Sequence, residues 1–199
     1  SADLLRRSAA PEQEAYIDNI QAESRRMRSL VEDMLTLFRA QKSAGTLPDT
    51  TADVSETAVT AALRFEPVAF EAGHLLEYDI APGLSARGDG ARLGQALAVL
   101  LDNAVKYAAP GGAIRLTLNA AGRNAVLAVE NPGERIPAEK LSHLFDRFYR
   151  VDDARTGAAG FGLGLAIARQ ITARHKGTIT AASDESATRF TVTLPLHRG

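Results

Sequence analysis

Apolar positions near the amino end follow a helical period. Ile17, Ile20, Ser24, Met27, Val31, Met34 and Phe38 are spaced 3-4-3-4-3-4, a heptad seam in which only Ser24 is polar. Leu30, Leu35 and Leu37 widen the apolar face beyond a two-stranded seam, so the spacing favours a helix with several neighbours, as in a four-helix bundle. Residues 41–53, QKSAGTLPDTTAD, read as a linker by composition. Beyond them the period switches repeatedly between helix and strand. Helices are predicted over 54–71 with Asp53 as N-cap, after a capping Asp89, over 138–148 and over 161–176. Strands are predicted over 75–80 and 84–88, in AIRLTLNA and NAVLAVEN joined by a hairpin at Ala-Gly-Arg, and in GTITAAS and TRFTVTLPL at the end. Helices and antiparallel strands segregate, which predicts an α+β class with helices packed on one sheet face. The expected boundaries are a helical segment at 1–44, a linker at 45–53 and an α+β domain at 54–199.

Bulk composition narrows the possibilities. The 199 residues are 45% hydrophobic, enough for one good core. Lys plus Arg total 23 against 24 Asp plus Glu, so no global field attracts nucleic acid or an anionic membrane. With no Cys, disulfides and thiolate metal sites are excluded. No apolar run approaches the ~20 residues of a membrane span, and no signal peptide is visible. The sequence opens on SADLLRRSAAPEQ without Met, and the expectation is a piece of a longer chain.

Three stretches carry candidate chemistry. In DNAVKYAAPGG, residues 102–112, Asn103, Lys106 and Tyr107 stand at i, i+3 and i+4 and share one helix face before a Pro-Gly-Gly stop. Taken alone, an exposed polar helix end accounts for them equally well. In GAAGFGLGLAIARQI, residues 157–171, Gly160, Gly162 and Gly164 precede or enter a helix. Backbone N–H groups there can close around an anion, assisted by the helix N-terminus. The spacing is neither a Walker loop nor a dinucleotide fingerprint, and alone it is also a plain flexible loop. In VENPGERIP, residues 129–137, a strand ends in Asn131, whose amide oxygen can accept from an exocyclic amine, and Gly133 lets a flat ring approach the backbone. By itself this is a turn.

Taken in order, the motifs resemble the ATP-binding domain of the sensor histidine kinases, within the superfamily shared with gyrase, the heat-shock chaperone ATPases and the mismatch-repair ATPases. LLDNAVKYAAPGG looks like the asparagine box, NPGERIP the first glycine box, LFDRFYRVD the phenylalanine box, GFGLGLAIA the second glycine box and ATRFTVTLP the final strand. AYIDNIQAESRRMRSLVEDMLTLFRAQ looks like the second helix of the dimerisation and phosphotransfer hairpin, and NPGERIPAEKLSHLFDRFYRVDDAR is similar to the heavy-metal-responsive subgroup. The resemblance implies a two-layer α/β sandwich of the Bergerat type, with a mixed sheet and helices on one face, after a partial helical hairpin. It implies ATP and Mg2+ as cofactors, a response-regulator receiver domain as partner, a homodimer through the hairpin, and the cytoplasmic portion of an inner-membrane sensor.

By the same resemblance, Asn103 would hold Mg2+, Lys106 would reach phosphate, and Tyr107, Gly133, Ile136 and Thr188 would line the adenine site. Asn131 stands where the family usually has Asp and would accept from the adenine amine. Gly160, Gly162, Leu163 and Gly164 would wrap the phosphates. Arg147 and Arg150 are the candidate γ-phosphate contacts, with Phe145 and Phe148 as packing residues beneath the lid. Val99 replaces the first Asn of the asparagine box, and Arg135, expected to crowd the pocket, replaces a glycine. Gyrase-like ATPases place a water-activating Glu at the position of Val99, and Val cannot act as a base, so kinase chemistry is favoured over hydrolysis. A superfamily ATPase and a degenerate dimerisation adaptor remain as alternatives. The histidines are His74, His143, His175 and His197, all outside the N-terminal helix and all expected at the surface.

Overall fold

The structure, a computed structural model, describes residues 16–24, 27, 28, 30, 31, 34, 35, 50–151 and 161–197. Residues 16–24 form helix α1, and the helical state recurs at the other described positions up to 35. Ile20, Met27, Val31 and Met34 of the expected seam are exposed, whereas Leu30 on the wider apolar face packs against the core. Phe38 lies outside the described residues, as does most of the expected linker.

The ordered domain runs β1 (Thr51–Asp53), α2 (Val54–Glu71), β2 (Leu75–Ile80), β3 (Ser85–Arg87), α3 (Gly90–Tyr107), β4 (Ala113–Ala121), β5 (Asn124–Asn131), α4 (Ala138–Leu141), α5 (Gly164–Arg174), β6 (Thr178–Ser183) and β7 (Thr188–Pro195). Five strands form a mixed sheet in the order β2-β4-β5-β7-β6, with β2 parallel to β4 and every other pair antiparallel. Alternation in the strands makes one face of this sheet apolar. Leu116, Val129 and Phe190 share one rung, Leu118, Leu127 and Val192 the next, and all six are buried. On the opposite face Arg115 pairs with Glu77 at 3.0 Å and Arg189 with Glu130. The helices cover the apolar face. Helix α3 contributes Leu93, Leu97, Leu100 and Leu101, each such side chain stabilising the fold by about 1.5–3 kcal/mol on burial. Helix α2 packs through Ala58, Ala61, Ala62 and Ala69, whose small side chains let it lie close.

Both predicted caps are present. Asp53 Oδ1 accepts from Glu56 N at 2.8 Å, and Asp89 Oδ1 accepts from Ala91 N at 2.9 Å. Three boundaries differ from expectation. The end of the expected linker, Thr51–Asp53, is β1, paired antiparallel with β3. An N-cap has extended backbone, so a strand can run straight into a helix, and Asp53 at φ −74°, ψ 106° serves both. The helix expected over 138–148 ends at Leu141 and gives way to tighter i to i+3 turns, such as Asp146 N to His143 O at 2.8 Å, until Phe148 at φ +63° donates its N–H to Gly162 O. The helix expected from Phe161 begins at Gly164, after Gly162 at φ +69°.

Candidate functional site

The site begins at the end of α3, where Asn103 is half-buried and Lys106 and Tyr107 are exposed. Lys106 Nζ lies 2.5 Å from Asp102 Oδ2 one turn earlier. The Pro-Gly-Gly stop then meets the Asn131–Pro137 turn directly. Ala109 N donates to Pro132 O at 2.8 Å, and a Cβ on Gly112 would lie 2.5 Å from Pro132 Cγ. A Cβ on Gly133 would lie 2.6 Å from Tyr107 O, so only glycine allows this approach. Two motifs about 25 residues apart in sequence are thereby one packed unit.

Asn131 ends β5 and is 3% exposed. Its Nδ2 donates to Pro132 O at 3.3 Å, which leaves Oδ1 as the acceptor end of the amide. Across the sheet Asn131 faces Thr188, and Thr188 faces Ser183 at the end of β6. Ser183 Oγ lies 2.8 Å from Thr188 Oγ1 and accepts from Ile136 N at 2.9 Å. Ser183 belongs to none of the recognised motifs. Its position as the last residue of the strand GTITAAS, opposite Thr188, was the available signal. Arg135 does not crowd this turn, contrary to expectation, because its Nη1 reaches out to Glu185 Oε1 at 2.7 Å in the β6–β7 connection.

The second glycine segment approaches the same helix from another side. A Cβ on Gly164, the first residue of α5, would lie 3.1 Å from Val99 Cγ1. Val99 therefore fills the α3–α5 contact, one turn before Asn103. No side chain caps α5 among the described residues, and a helix start of this kind can receive an anion. Leu163 is buried at 1% exposure and anchors this entry to the core. Gly162 joins the phenylalanine segment: a Cβ there would lie 2.6 Å from Tyr149 O. Phe145 packs edge-to-face on Phe190, with ring centroids 6.3 Å apart, as expected of a packing residue. Phe148 is instead 60% exposed, because its left-handed backbone turns the ring away from the core. Arg147 is exposed and Arg150 half-buried on the same segment. Gly160 lies outside the described residues.

Gly133 and Gly164 thus meet α3 at Tyr107 and Val99, eight residues apart, or about 12 Å along the axis at the α-helical rise. Asn103 stands midway. The histidines need a correction, since His74 and His175 are buried and His197 half-buried. His175 is drawn inward by two hydrogen bonds, Nδ1–H to Ile171 O at 2.8 Å and Nε2 from Asp89 N at 3.0 Å. His74 sits where the chain leaves α2 for β2, its N–H donating to Ala69 O at 2.8 Å. His143 is exposed, as expected, and contacts Asp146.

Comparison with known proteins agrees with this architecture. The family described as Histidine kinase-, DNA gyrase B-, and HSP90-like ATPase matches residues 88–198. The His Kinase A (phospho-acceptor) domain matches residues 1–43. The chain belongs to the histidine kinase-, DNA gyrase B- and HSP90-like ATPase family, and the two matches stand in the order of a histidine-kinase dimerisation and catalytic module. It is 33% identical to Sensor protein DltS of Streptococcus agalactiae serotype V over 91% of this chain and 46% of that protein. The chain thus spans about half the length of that relative. Among solved structures it is similar to full-length ShkA in complex with AMPPNP, with a TM-score of 0.82 and 25% identity over 100% of this chain and 42% of that one. It is also similar to histidine kinase ThkA in complex with response regulator protein TrrA, with a TM-score of 0.73 and 25% identity over 95% and 53% of the two chains. Among the described residues, no helix is long and apolar enough to cross a membrane.

Proposed function

We propose that the chain binds Mg·ATP between the two glycine segments and serves as the catalytic module of a two-component sensor histidine kinase. One observation carries this reading: Gly133, too close to Tyr107 O for a Cβ, and Gly164, whose Cβ would press on Val99 at 3.1 Å, meet α3 on either side of Asn103 along the helix. The residues fit the ligand. The Asn131 amide, anchored on Pro132 O, offers an acceptor to the adenine amine, beside Gly133, Ile136, Thr188 and the exposed ring of Tyr107. Asn103 supplies a neutral oxygen suited to a hard cation. Lys106 exchanges its exposed pairing with Asp102 for phosphate at little cost. Gly160, Gly162, Leu163 and Gly164 would hold the phosphates, and Arg147 and Arg150 would neutralise the γ-phosphate. When bound, Mg·ATP supplies the phosphoryl group for transfer and much of its charge neutralisation.

Residues 1–43, matched by the phospho-acceptor domain, contain no histidine; the receiving imidazole would either lie outside this sequence or be lacking in the natural protein. From there the group would pass to an Asp of a response regulator, a reading supported by the likeness to the ThkA–TrrA complex. The exposed seam of α1 would pair with a second copy. The module would sit on the cytoplasmic side of an inner-membrane sensor, and the heavy-metal likeness remains a likeness of motif. Val99, packed on Gly164, offers no base for water, which weighs against the ATPase alternative.

Calorimetric titration with ATP and Mg2+ tests the reading. Saturable binding that Asn103→Ala weakens is expected, whereas no heat at millimolar nucleotide would favour an adaptor. With radiolabelled ATP, this chain alone should gain no acid-labile phosphate. Steady phosphate release that Asn103→Ala abolishes would instead identify an ATPase.

A further inference from the structure

We propose that Ser183 is a positioning residue that sets the purine end of the cleft, and with it the preference for a 6-aminopurine over a 6-oxopurine. The inference rests on the nucleotide reading above. The Asn131–Pro137 turn is held at its start by Ala109 N–H on Pro132 O and by the close seat of Gly133 on Tyr107. Towards its far end it is held by Ile136 N–H on Ser183 Oγ at 2.9 Å. The Arg135–Glu185 pair spans the same gap, but both partners are exposed and such pairs contribute little. Ser183 therefore carries the cross-tie between the turn and the sheet edge.

The same hydroxyl controls Thr188. A serine hydroxyl has one hydrogen and two lone pairs. Ser183 Oγ and Thr188 Oγ1 lie 2.8 Å apart and either can donate; with one Ser183 lone pair already taken by Ile136 N–H, we assign Ser183 O–H as the donor to Thr188 Oγ1. In that assignment the hydrogen of Thr188, which is 5% exposed, would serve the side of the rung where Asn131 stands. Asn131 offers Oδ1 as an acceptor, because its Nδ2 is engaged by Pro132 O. The rung then presents one acceptor and one donor. A 6-aminopurine matches both, with an exocyclic amine that donates and a ring N1 that accepts. A 6-oxopurine presents the reverse at the same two atoms, an oxygen that accepts and an N1–H that donates. Mismatched buried groups of this kind discriminate strongly.

The test compares wild type, Ser183→Ala, Ser183→Thr and Thr188→Val for Mg·ATP and Mg·GTP dissociation constants by calorimetry, with urea unfolding of each. Ser183→Ala should weaken ATP binding about tenfold, the value of one to two hydrogen bonds, and GTP binding less than about threefold. Ser183→Thr, which keeps the hydroxyl, should restore the ratio. Thr188→Val should lower the ratio similarly and supplies the reading if Ser183→Ala does not fold. An ATP/GTP ratio unchanged in both hydroxyl-deletion variants overturns the proposal, even if stability falls. Wild-type chain that binds neither nucleotide overturns the nucleotide reading itself, a distinct outcome.

Discussion

Replacing His175 with Leu tests how helix α3, and the residues it carries, is held in place. His175 follows the last turn of α5 and is 4% exposed. Its Nδ1 faces the Ile171 carbonyl at 2.8 Å, which can only accept, so Nδ1 carries the hydrogen. Nε2 is then a bare acceptor for the N–H of Asp89, the N-cap of α3, at 3.0 Å. Gly88 leaves room for the ring, since a Cβ there would lie 2.1 Å from Cδ2 of His175. Leu retains apolar bulk but removes both bonds. Ile171 O keeps a second donor, the His175 backbone N–H at 3.2 Å, so its loss is small. Asp89 N–H is left without its partner, and the combined cost is about 2–3 kcal/mol, a large share of a typical domain's stability. Urea unfolding at neutral pH should show that loss with an unchanged slope. Amide exchange at Ala91 and Arg92 should quicken. A loss below about 0.5 kcal/mol, the range of an ordinary surface substitution, would refute the linkage between α5 and the start of α3.

Two further outcomes are expected. Gly162→Ala forces a side chain into φ +69° with its Cβ 2.6 Å from Tyr149 O, which should cost at least about 2 kcal/mol; thermal melting and Mg·ATP titration should both register the loss, and wild-type values in both would contradict the packed geometry. Asp184 has its carboxyl held below the ordinary 3.8, chiefly by the Ser186 hydroxyl, then by the amides of Ser186 and Ala187 and the charge of Arg135. A depressed carboxylate stabilises the fold above its unfolded pKa and loses that contribution as pH falls through the folded value. Asp184→Asn should therefore melt below wild type near neutrality, and the gap should close as the solution is acidified; a gap constant across the acid range would show that the carboxylate charge plays no part.

Local rules carried much of this fold. Asp53 and Asp89 are caps because a short acidic side chain before an apolar run satisfies orphan N–H groups, whatever surrounds it. The period-2 segments became β4, β5 and β7 because alternation alone assigns their faces. Helix α3 and its stop were readable for the same reason. The site was readable only as separate motifs: Asn103, Asn131 and Gly164 each admitted a plain structural account until placed in order.

Other features depended on partners distant in the chain. Phe148 takes a left-handed backbone in place of the expected helix, and its N–H donates to Gly162 O from the second glycine segment. Arg135 turns away from the Asn131–Pro137 turn because Glu185 stands on the neighbouring connection. His175 is buried because α3 presents a backbone N–H to it from 86 residues away. The amino-acid sequence thus determined most of the elements, their order and the family, since these depend on interactions within a few residues. Tertiary structure alone decided which polar groups face inward and which glycines touch α3, because hydrogen bonds and close contacts between distant segments have no periodic signature along the chain.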